Sequence, residues 1–233
     1  YRSERCVRCG ACAEGCYSEA LEMIGAARTA RDVMREVLLD KPFYDASGGG
    51  ITLSGGEPLA QPDFSEALLL LSREAGVSTA LQSTCATRWS TVYQLLPVVD
   101  LWMCDVKHMD PARHRELTGI DNAEALANLR RLCASGARVL LRLPLVPGLN
   151  DDVPGLRALA AFIREVGPED GLEIVPYHRF GGDKYARLRK DYGLPDVPAA
   201  TDADVLRAVD TLRTAGVSRI SCQKVPELTP HSP

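Results

Sequence analysis

Four of the eight cysteines stand close together, as Cys6-x-x-Cys9-x-x-Cys12-x-x-x-Cys16. Gaps of two residues let three thiolates converge on one iron–sulfur cubane while the backbone wraps around it. Gly10, Ala11 and Ala13 leave room for that approach, and Arg5 and Arg8 offset part of the cluster's negative charge. Four unbound thiols and a zinc knuckle are the competing readings. The spacing favours a 4Fe–4S cluster with Cys6, Cys9, Cys12 and Cys16 as its candidate ligands. A second chemical signal is the run Gly48-Gly49-Gly50-Ile51-Thr52-Leu53-Ser54-Gly55-Gly56-Glu57-Pro58. Glycines after a strand let backbone groups approach a ligand closely. The Glu57 carboxylate suits a cationic group such as an amino-acid ammonium. The Gly-Lys-Ser/Thr ending of a phosphate loop is absent.

The elements that must position these groups repeat one theme: a short β-branched strand, a polar turn, an amphipathic helix, then Gly. Strands are predicted at Ile51–Ser54, Ser78–Ser83, Val98–Val106, Arg138–Val146, Leu172–Tyr177 and Ser218–Cys222. Between them, Leu68 and Leu71 share a helical face, as do Leu126, Leu129 and Leu132, then Leu156, Leu159 and Ile163, then Val205, Val209 and Leu212. Asp121 with Glu124 reads as a capping box with Asp in place of Ser or Thr. Gly76, Gly136, Gly167 and Gly216 fall where helix C-caps belong. The words Ala75-Gly76-Val77-Ser78 and Ala215-Gly216-Val217-Ser218 recur at matching helix-to-strand junctions.

Strands alternating with helices imply a parallel sheet with right-handed crossovers, either an open doubly wound sheet or a full or partial (β/α) barrel. Glu57 follows the first strand, Gln82 and Ser83 end the second, and Asp105 and Lys107 end the third; Arg142 lies in the fourth and His178 ends the fifth. Polar groups at the C-terminal ends of successive strands converge on the active face of a barrel. An open sheet concentrates them at one switch point. A partial barrel is the better reading, with residues 1–27 as a separate cysteine module and residues 28–233 as the barrel.

Composition bounds the partners. A hydrophobic content of 45% and a charged content of 25% are those of an ordinary globular protein. A net charge of −4 gives no electrostatic reason to expect nucleic acid or an anionic membrane. No apolar run approaches the ~20 residues of a membrane-spanning helix. The start, Tyr1 to Cys6, has neither an initiator Met nor an apolar signal core. Half of the cysteines lie in one short run, and the long remainder builds a core without staples, which points to a reducing cytoplasm. Cys85, Cys104, Cys133 and Cys222 read as buried structural thiols, with Cys104 facing away from Met103 and Asp105. His108, His114 and His231 read as structural or exposed.

Taken together, the motifs resemble the activating enzymes of glycyl-radical enzymes, within the radical S-adenosylmethionine (SAM) superfamily. The resemblance is carried by Ser47 to Pro58, Asp105-Val106-Lys107-His108-Met109-Asp110-Pro111, Leu117-Thr118-Gly119, the stretch Arg142 to Asp151, and Pro176-Tyr177-His178-Arg179-Phe180. It runs in order from about Cys6 to Val225. It implies an α/β fold, a partial (β/α) barrel of the radical SAM type, preceded by a small ferredoxin-like iron–sulfur module. It implies that Gly55, Gly56 and Glu57 hold the SAM ammonium, and that Asp105 and the Met103 carbonyl help bind a monovalent cation beside SAM. Ser83 falls at a further cation position, whose usually acidic neighbour is here Gln82. Arg142 and His178 fall on positions lining the SAM pocket, and Lys107 belongs to the same constellation. The implied cofactors are a 4Fe–4S cluster and SAM. The implied partners are a glycyl-radical enzyme as protein substrate and an electron donor such as a flavodoxin or ferredoxin, under anaerobic conditions.

The family's Cys-x-x-x-Cys-x-x-Cys loop, whose three thiolates leave one iron open for SAM, is not in this sequence. Cys12 to Cys16 has its first spacing only. In the family that loop follows the first barrel strand and precedes the ferredoxin-like insertion, so the expectation is that both lie upstream of Tyr1 and that the chain as given does not cleave SAM alone. In two-cluster ferredoxins the last Cys of a run like Cys6–Cys16 serves the other cluster, which leaves Cys16 open to a cluster with ligands elsewhere. An iron–sulfur electron-transfer protein with a non-catalytic barrel, and a degenerate barrel that only docks a partner, are the alternatives. Both leave the Gly-Gly-Glu turn and Asp105-x-Lys107 without a task.

Overall fold

The structure is a computed structural model and describes residues 5–23, 25–188, 190–225 and 228. His231 lies outside them. Six strands form one parallel sheet in sequential order: β1 (Gly50–Leu53), β2 (Ser78–Ser83), β3 (Leu101–Asp105), β4 (Val139–Leu145), β5 (Leu172–Pro176) and β6 (Ile220–Ser221). A doubly wound sheet reverses its order at a switch point; here every strand pairs with its sequence neighbour. This is the winding of a barrel wall. It brings all the strand C-termini to one edge and, with right-handed crossovers, the helices to one face.

Burial alternates accordingly. Leu81, Trp102, Cys104, Leu141, Leu143 and Leu145 are buried against the helices, whereas Gln82, Met103, Asp105, Leu140 and Arg142 on the opposite face are half-buried. Among the described residues the helices are α1 (Ala11–Glu14), α2 (Ala30–Val37), α3 (Lys41–Ser47), α4 (Pro62–Glu74), α5 (Trp89–Leu95), α6 (Pro111–Thr118), α7 (Ala123–Ala134), α8 (Val153–Val166), α9 (Gly181–Arg187) and α10 (Asp202–Thr214). Of these, α4, α5, α7, α8 and α10 cover the apolar face with Leu69, Val92, Leu129, Leu156, Leu159 and Leu212. Each such side chain contributes about 1.5–3 kcal/mol on burial. The apolar faces expected for α7, α8 and α10 point inward, although Leu126 is only partly covered. At the start of β1 a Cβ on Gly50 would lie 2.0 Å from the Ser78 carbonyl oxygen, so only glycine lets β1 and β2 pair there.

The two Ala-Gly-Val-Ser words form the same structure. The Val77 amide donates to the Ser72 carbonyl and Gly76 to Arg73; Val217 donates to Leu212 and Gly216 to Arg213. Both are Schellman endings, with the glycine left-handed and the following valine buried. Gly136 and Gly167 are also left-handed, as a C-cap requires.

Several boundaries differ from expectation. Val98 lies in a 3₁₀ turn (Leu96–Val98), whose first turn Pro97 favours, so β3 starts at Leu101. The last strand shortens to Ile220–Ser221. The capping box at Asp121 does not form: α7 starts after Asn122, and the Asp121 carboxylate instead pairs with Arg115 at 2.8 Å and accepts from the Ala123 amide. Boxes do form at Thr29/Asp32, which starts α2 (Ala30–Val37), and at Thr201/Asp204, which starts α10. Cys133 is half-buried rather than buried.

Residues 5–23 hold one short helix, α1 (Ala11–Glu14), and none of them is buried. An ion pair of 3.0 Å between Glu22 and Arg187 ties this segment to α9 (Gly181–Arg187), beyond the C-terminal end of β5. Among the described residues no helix is long and apolar enough to cross a membrane.

Candidate functional site

Strand register assembles the site. Asp105 pairs with Arg142 across β3 and β4, and Arg142 pairs with Glu173 across β4 and β5, so three charged side chains form one rung on the half-open face. Arg142 Nε donates to Glu173 Oε2 at 2.8 Å, Arg142 Nη1 lies 3.8 Å from Asp105 Oδ1, and Lys107 Nζ lies 3.9 Å from Asp105 Oδ2. Asp105 Oδ1 is buried and accepts no hydrogen bond. Burial raises the Asp105 pKa from the ordinary 3.8; Lys107 and Arg142 oppose that rise, whereas Glu57 and Glu173 add to it. The rung is therefore electrostatically short of positive charge.

The Gly-Gly-Glu turn meets the rung at the end of β1. Glu57 caps the 3₁₀ turn Pro58–Ala60, and its carboxylate accepts from the Leu59 amide (3.1 Å), the Ser83 hydroxyl (2.7 Å), and the Thr84 amide and hydroxyl (3.0 Å each). Those four donors fill the lone-pair sites of a carboxylate. Glu57 is thus committed to joining β1 to β2. Gly55 and Gly56 remain exposed, Gly55 at φ +117°, and a Cβ on either would meet nothing within 4 Å. The open part of the turn is its glycine backbone. Gln82 Oε1 accepts from the Ser54 hydroxyl at 3.0 Å. Met103, paired with Gln82 across β2 and β3, lies on the rung's face.

Beyond β5, a cavity of about 410 Å³ is lined by Arg142, Glu173, Tyr177, His178, Phe180 and Lys224, among others. The His178 ring lies 4.6 Å from that of Phe180, which is exposed. Expected site residues Gly55, Gly56, Glu57, Ser83, Met103, Asp105, Lys107, Arg142 and His178 all fall at the strand C-terminal ends or on this face. Two groups escaped the sequence reading. Glu173 is one, its signal being only its register with Arg142. Thr84 is the other.

Away from this face, Cys104 packs 3.5 Å from Cys85 among the helices, as expected from its alternation with Asp105. The hydrogen bond with Cys85, then burial, hold the Cys104 pKa well up, and burial pushes Cys133 up to about 11, so these thiols stay protonated and unreactive. His114 is buried, with Nδ1 2.8 Å from the Ile120 carbonyl, and His108 Nδ1 accepts from the Asp110 amide. Both are structural.

Among the described residues no three His, Cys, Asp or Glu side chains are set at metal-binding distances. The donor chemistry of the cysteine run nevertheless suits a thiolate cluster. The Arg8 amide donates to Cys6 Sγ at 3.4 Å, and Cys16 Sγ, whose pKa hydrogen bonds from Ser18 and the Leu21 backbone lower, lies 3.6 Å from the Ser18 hydroxyl. N–H and O–H donors aimed at sulfur stabilise the thiolate form.

The sequence model of the radical SAM superfamily matches residues 6–159. This chain belongs to the radical SAM superfamily. Such proteins use a 4Fe–4S cluster and SAM. Its relatives narrow the branch. The choline trimethylamine-lyase activating enzyme of Oleidesulfovibrio alaskensis is 37% identical over 91% of this chain and 80% of its own length. The isethionate sulfite-lyase activating enzyme of Nitratidesulfovibrio vulgaris is 39% identical over 86% of this chain and 65% of its own length, and the pyruvate formate-lyase-activating enzyme of Staphylococcus aureus is 39% identical over 77% and 74%. The chain therefore spans about two thirds to four fifths of these relatives. In fold it is similar to a domain of a pyruvate-formate lyase-activating enzyme from Bacteroides vulgatus, with a TM-score of 0.62 and 24% identity, covering 75% of this chain and 98% of that domain. It is also similar to Streptococcus suis SuiB bound to S-adenosylmethionine, with a TM-score of 0.66 and 16% identity, covering 87% of this chain and 45% of SuiB.

Proposed function

We propose that this chain is the SAM-binding barrel of a glycyl-radical enzyme activase. The reaction is reductive cleavage of SAM followed by abstraction of a Gly Cα hydrogen from a partner glycyl-radical enzyme. A flavodoxin or ferredoxin supplies the electron, and the setting is an anaerobic cytoplasm. Residues 1–27 form the cluster-bearing module and residues 28–233 the barrel. Relatives named as activating enzymes support this reading, but the observation that carries it is the charge of the half-open face. Glu57, Asp105 and Glu173 set three carboxylates against the two cations Lys107 and Arg142, and the third cation of the cavity, Lys224, is balanced by Asp202 at 3.8 Å. SAM, with a sulfonium, an ammonium and one carboxylate, is net positive by one. A partly buried face net negative by one is its complement.

When bound, a 4Fe–4S cluster and SAM would supply one-electron radical chemistry at the sulfonium, with the electron coming from the donor protein and the hydrogen atom from the partner's glycine. The chain's residues bind and orient. Glu57 fixes the turn so that the Gly55–Gly56 backbone meets the ammonium. Lys107, Arg142 and His178 border the ligand along the strand ends. Asp105 Oδ1, buried and lacking a hydrogen bond, faces positive charge, either the ligand's own or that of a monovalent cation completed by the Met103 carbonyl and Ser83. Cys6, Cys9, Cys12 and Cys16 hold a 4Fe–4S cluster in the segment tied to α9.

The test uses the protein expressed from its intact gene and reconstituted anaerobically with iron and sulfide. With dithionite and SAM it is expected to form 5′-deoxyadenosine, and with its partner enzyme a glycyl-radical EPR doublet. A sample with full iron content and no 5′-deoxyadenosine would overturn the reading in favour of electron transfer alone.

A further inference from the structure

Glu173 has no place in the sequence motifs, yet it is 7% exposed at the second position of β5 and carries a carboxylate. A buried carboxylate is destabilising unless it is paired and hydrogen-bonded. Its partner is Arg142, whose Nε donates to Glu173 Oε2 at 2.8 Å. That contact uses the Nε side of the guanidinium and leaves the Nη end turned towards Asp105, 3.8 Å away, and towards the cavity that both side chains line. An unrestrained arginine has many rotamers, and that freedom is lost whenever a ligand orders it. A short charge-assisted bond on a rigid strand removes that loss beforehand.

We infer that Glu173 is the positioning residue for Arg142, locking its guanidinium in the orientation in which the Nη end meets SAM. This rests on the reading of the cavity as the SAM pocket. Glu173 touches no reacting atom; it acts through the arginine.

Three measurements on the reconstituted protein test it. First, Glu173→Gln preserves shape and still accepts from Nε, but as a neutral group. SAM affinity by equilibrium dialysis is expected to fall about tenfold, the scale of one charge-assisted hydrogen bond. Second, with ¹⁵N-arginine labelling, Arg142 should give a slowly exchanging Nε–H resonance that Glu173→Gln shifts upfield and brings into faster exchange, because a neutral acceptor holds the proton less tightly. A purely structural role would leave that resonance in place. Third, in an Arg142→Lys background, which has no Nε–H to hold, Glu173→Gln should change SAM affinity less than twofold.

An equal tenfold loss in both backgrounds would overturn the inference, because Glu173 would then act by its own charge or on the fold at large. Unchanged affinity in Glu173→Gln would also overturn it. If Arg142→Lys alone leaves SAM affinity unaltered, the pocket reading itself fails and takes the inference with it, a result distinct from either of those. Should Glu173→Gln not fold, Glu173→Asp keeps the charge but withdraws it by one methylene, and the same shift of the Nε–H resonance is required of it.

Discussion

A single atom, Asp105 Oδ1, shows how this face sets binding against stability. It is buried without a hydrogen bond, and two cations within 4 Å of the carboxylate do not bring its pKa back to the ordinary value. The sign follows. A carboxyl whose folded pKa lies above its unfolded one adds stability at low pH that is lost as pH rises through the folded value. At neutral pH, then, ionised Asp105 destabilises the empty protein, and Asp105→Asn should stabilise it by about 1 kcal/mol, or roughly 2–4 °C in thermal midpoint for a chain of this size. The gain should shrink as pH falls towards the ordinary carboxylate value of 3.8, where the wild-type group is itself protonated. The same variant should bind SAM more weakly, since it removes a negative charge opposite a cationic ligand. Circular-dichroism melts across pH decide the matter: an unchanged or lower midpoint for Asp105→Asn at neutral pH would refute the account.

At the scale of elements, two buried amides join loops that no motif connects. Asn150, 7% exposed, donates to the Lys107 carbonyl at 2.9 Å and the Pro144 carbonyl at 2.7 Å, and accepts from the Val146 amide at 2.7 Å. It ties the segment after β3, which carries Lys107, to the end of β4. Asn122 does the same for the carbonyls of His108 and Met109. Asn150→Ala would strand three backbone groups, and the expected cost is about 2–3 kcal/mol in urea denaturation, with faster hydrogen exchange at residues 106–109. A loss within about 0.5 kcal/mol, typical of surface changes, would show that water replaces the amide. Such links are what the sequence hides. Strand and helix order, the C-cap glycines and the strand-end placement of Asp105 and Arg142 were legible because periodicity and turn chemistry are local. The roles of Asn150 and Asn122 were not, because a backbone carbonyl has no sequence identity. Glu173 hid inside Leu-Glu-Ile-Val, where only the register with Arg142 gives it a partner. Thr84 follows the strand end and reads as an ordinary turn residue until Glu57 folds back on it. The Asp121 box failed for a related reason: Arg115, six residues earlier, competes for the same carboxylate.

At the scale of the whole molecule, the core and the cysteine run are energetically separate. Among the described residues every large buried side chain lies between Met34 and Leu228, and residues 5–23 bury none. Their link to the rest of the chain includes Glu22–Arg187, an exposed ion pair of the kind worth about 0–1 kcal/mol. A cluster held by Cys6, Cys9, Cys12 and Cys16 can therefore order its own segment without stabilising the sheet. Cys6→Ala and Cys9→Ala, made in the intact protein and reconstituted anaerobically, should each lose one cluster's share of the ultraviolet–visible and EPR signals. Their far-UV melting transition should stay within about 0.5 kcal/mol of wild type, since no buried contact changes. Equilibrium SAM binding should persist, because Gly55, Asp105, Lys107, Arg142 and Glu173 belong to the sheet. If melting and cluster loss instead moved together by several kcal/mol, the cluster would be part of the sheet's core, and the separation drawn from burial would be wrong. If the cluster signal survived both substitutions, these cysteines would not be its ligands, and the iron would have to be held elsewhere in the protein.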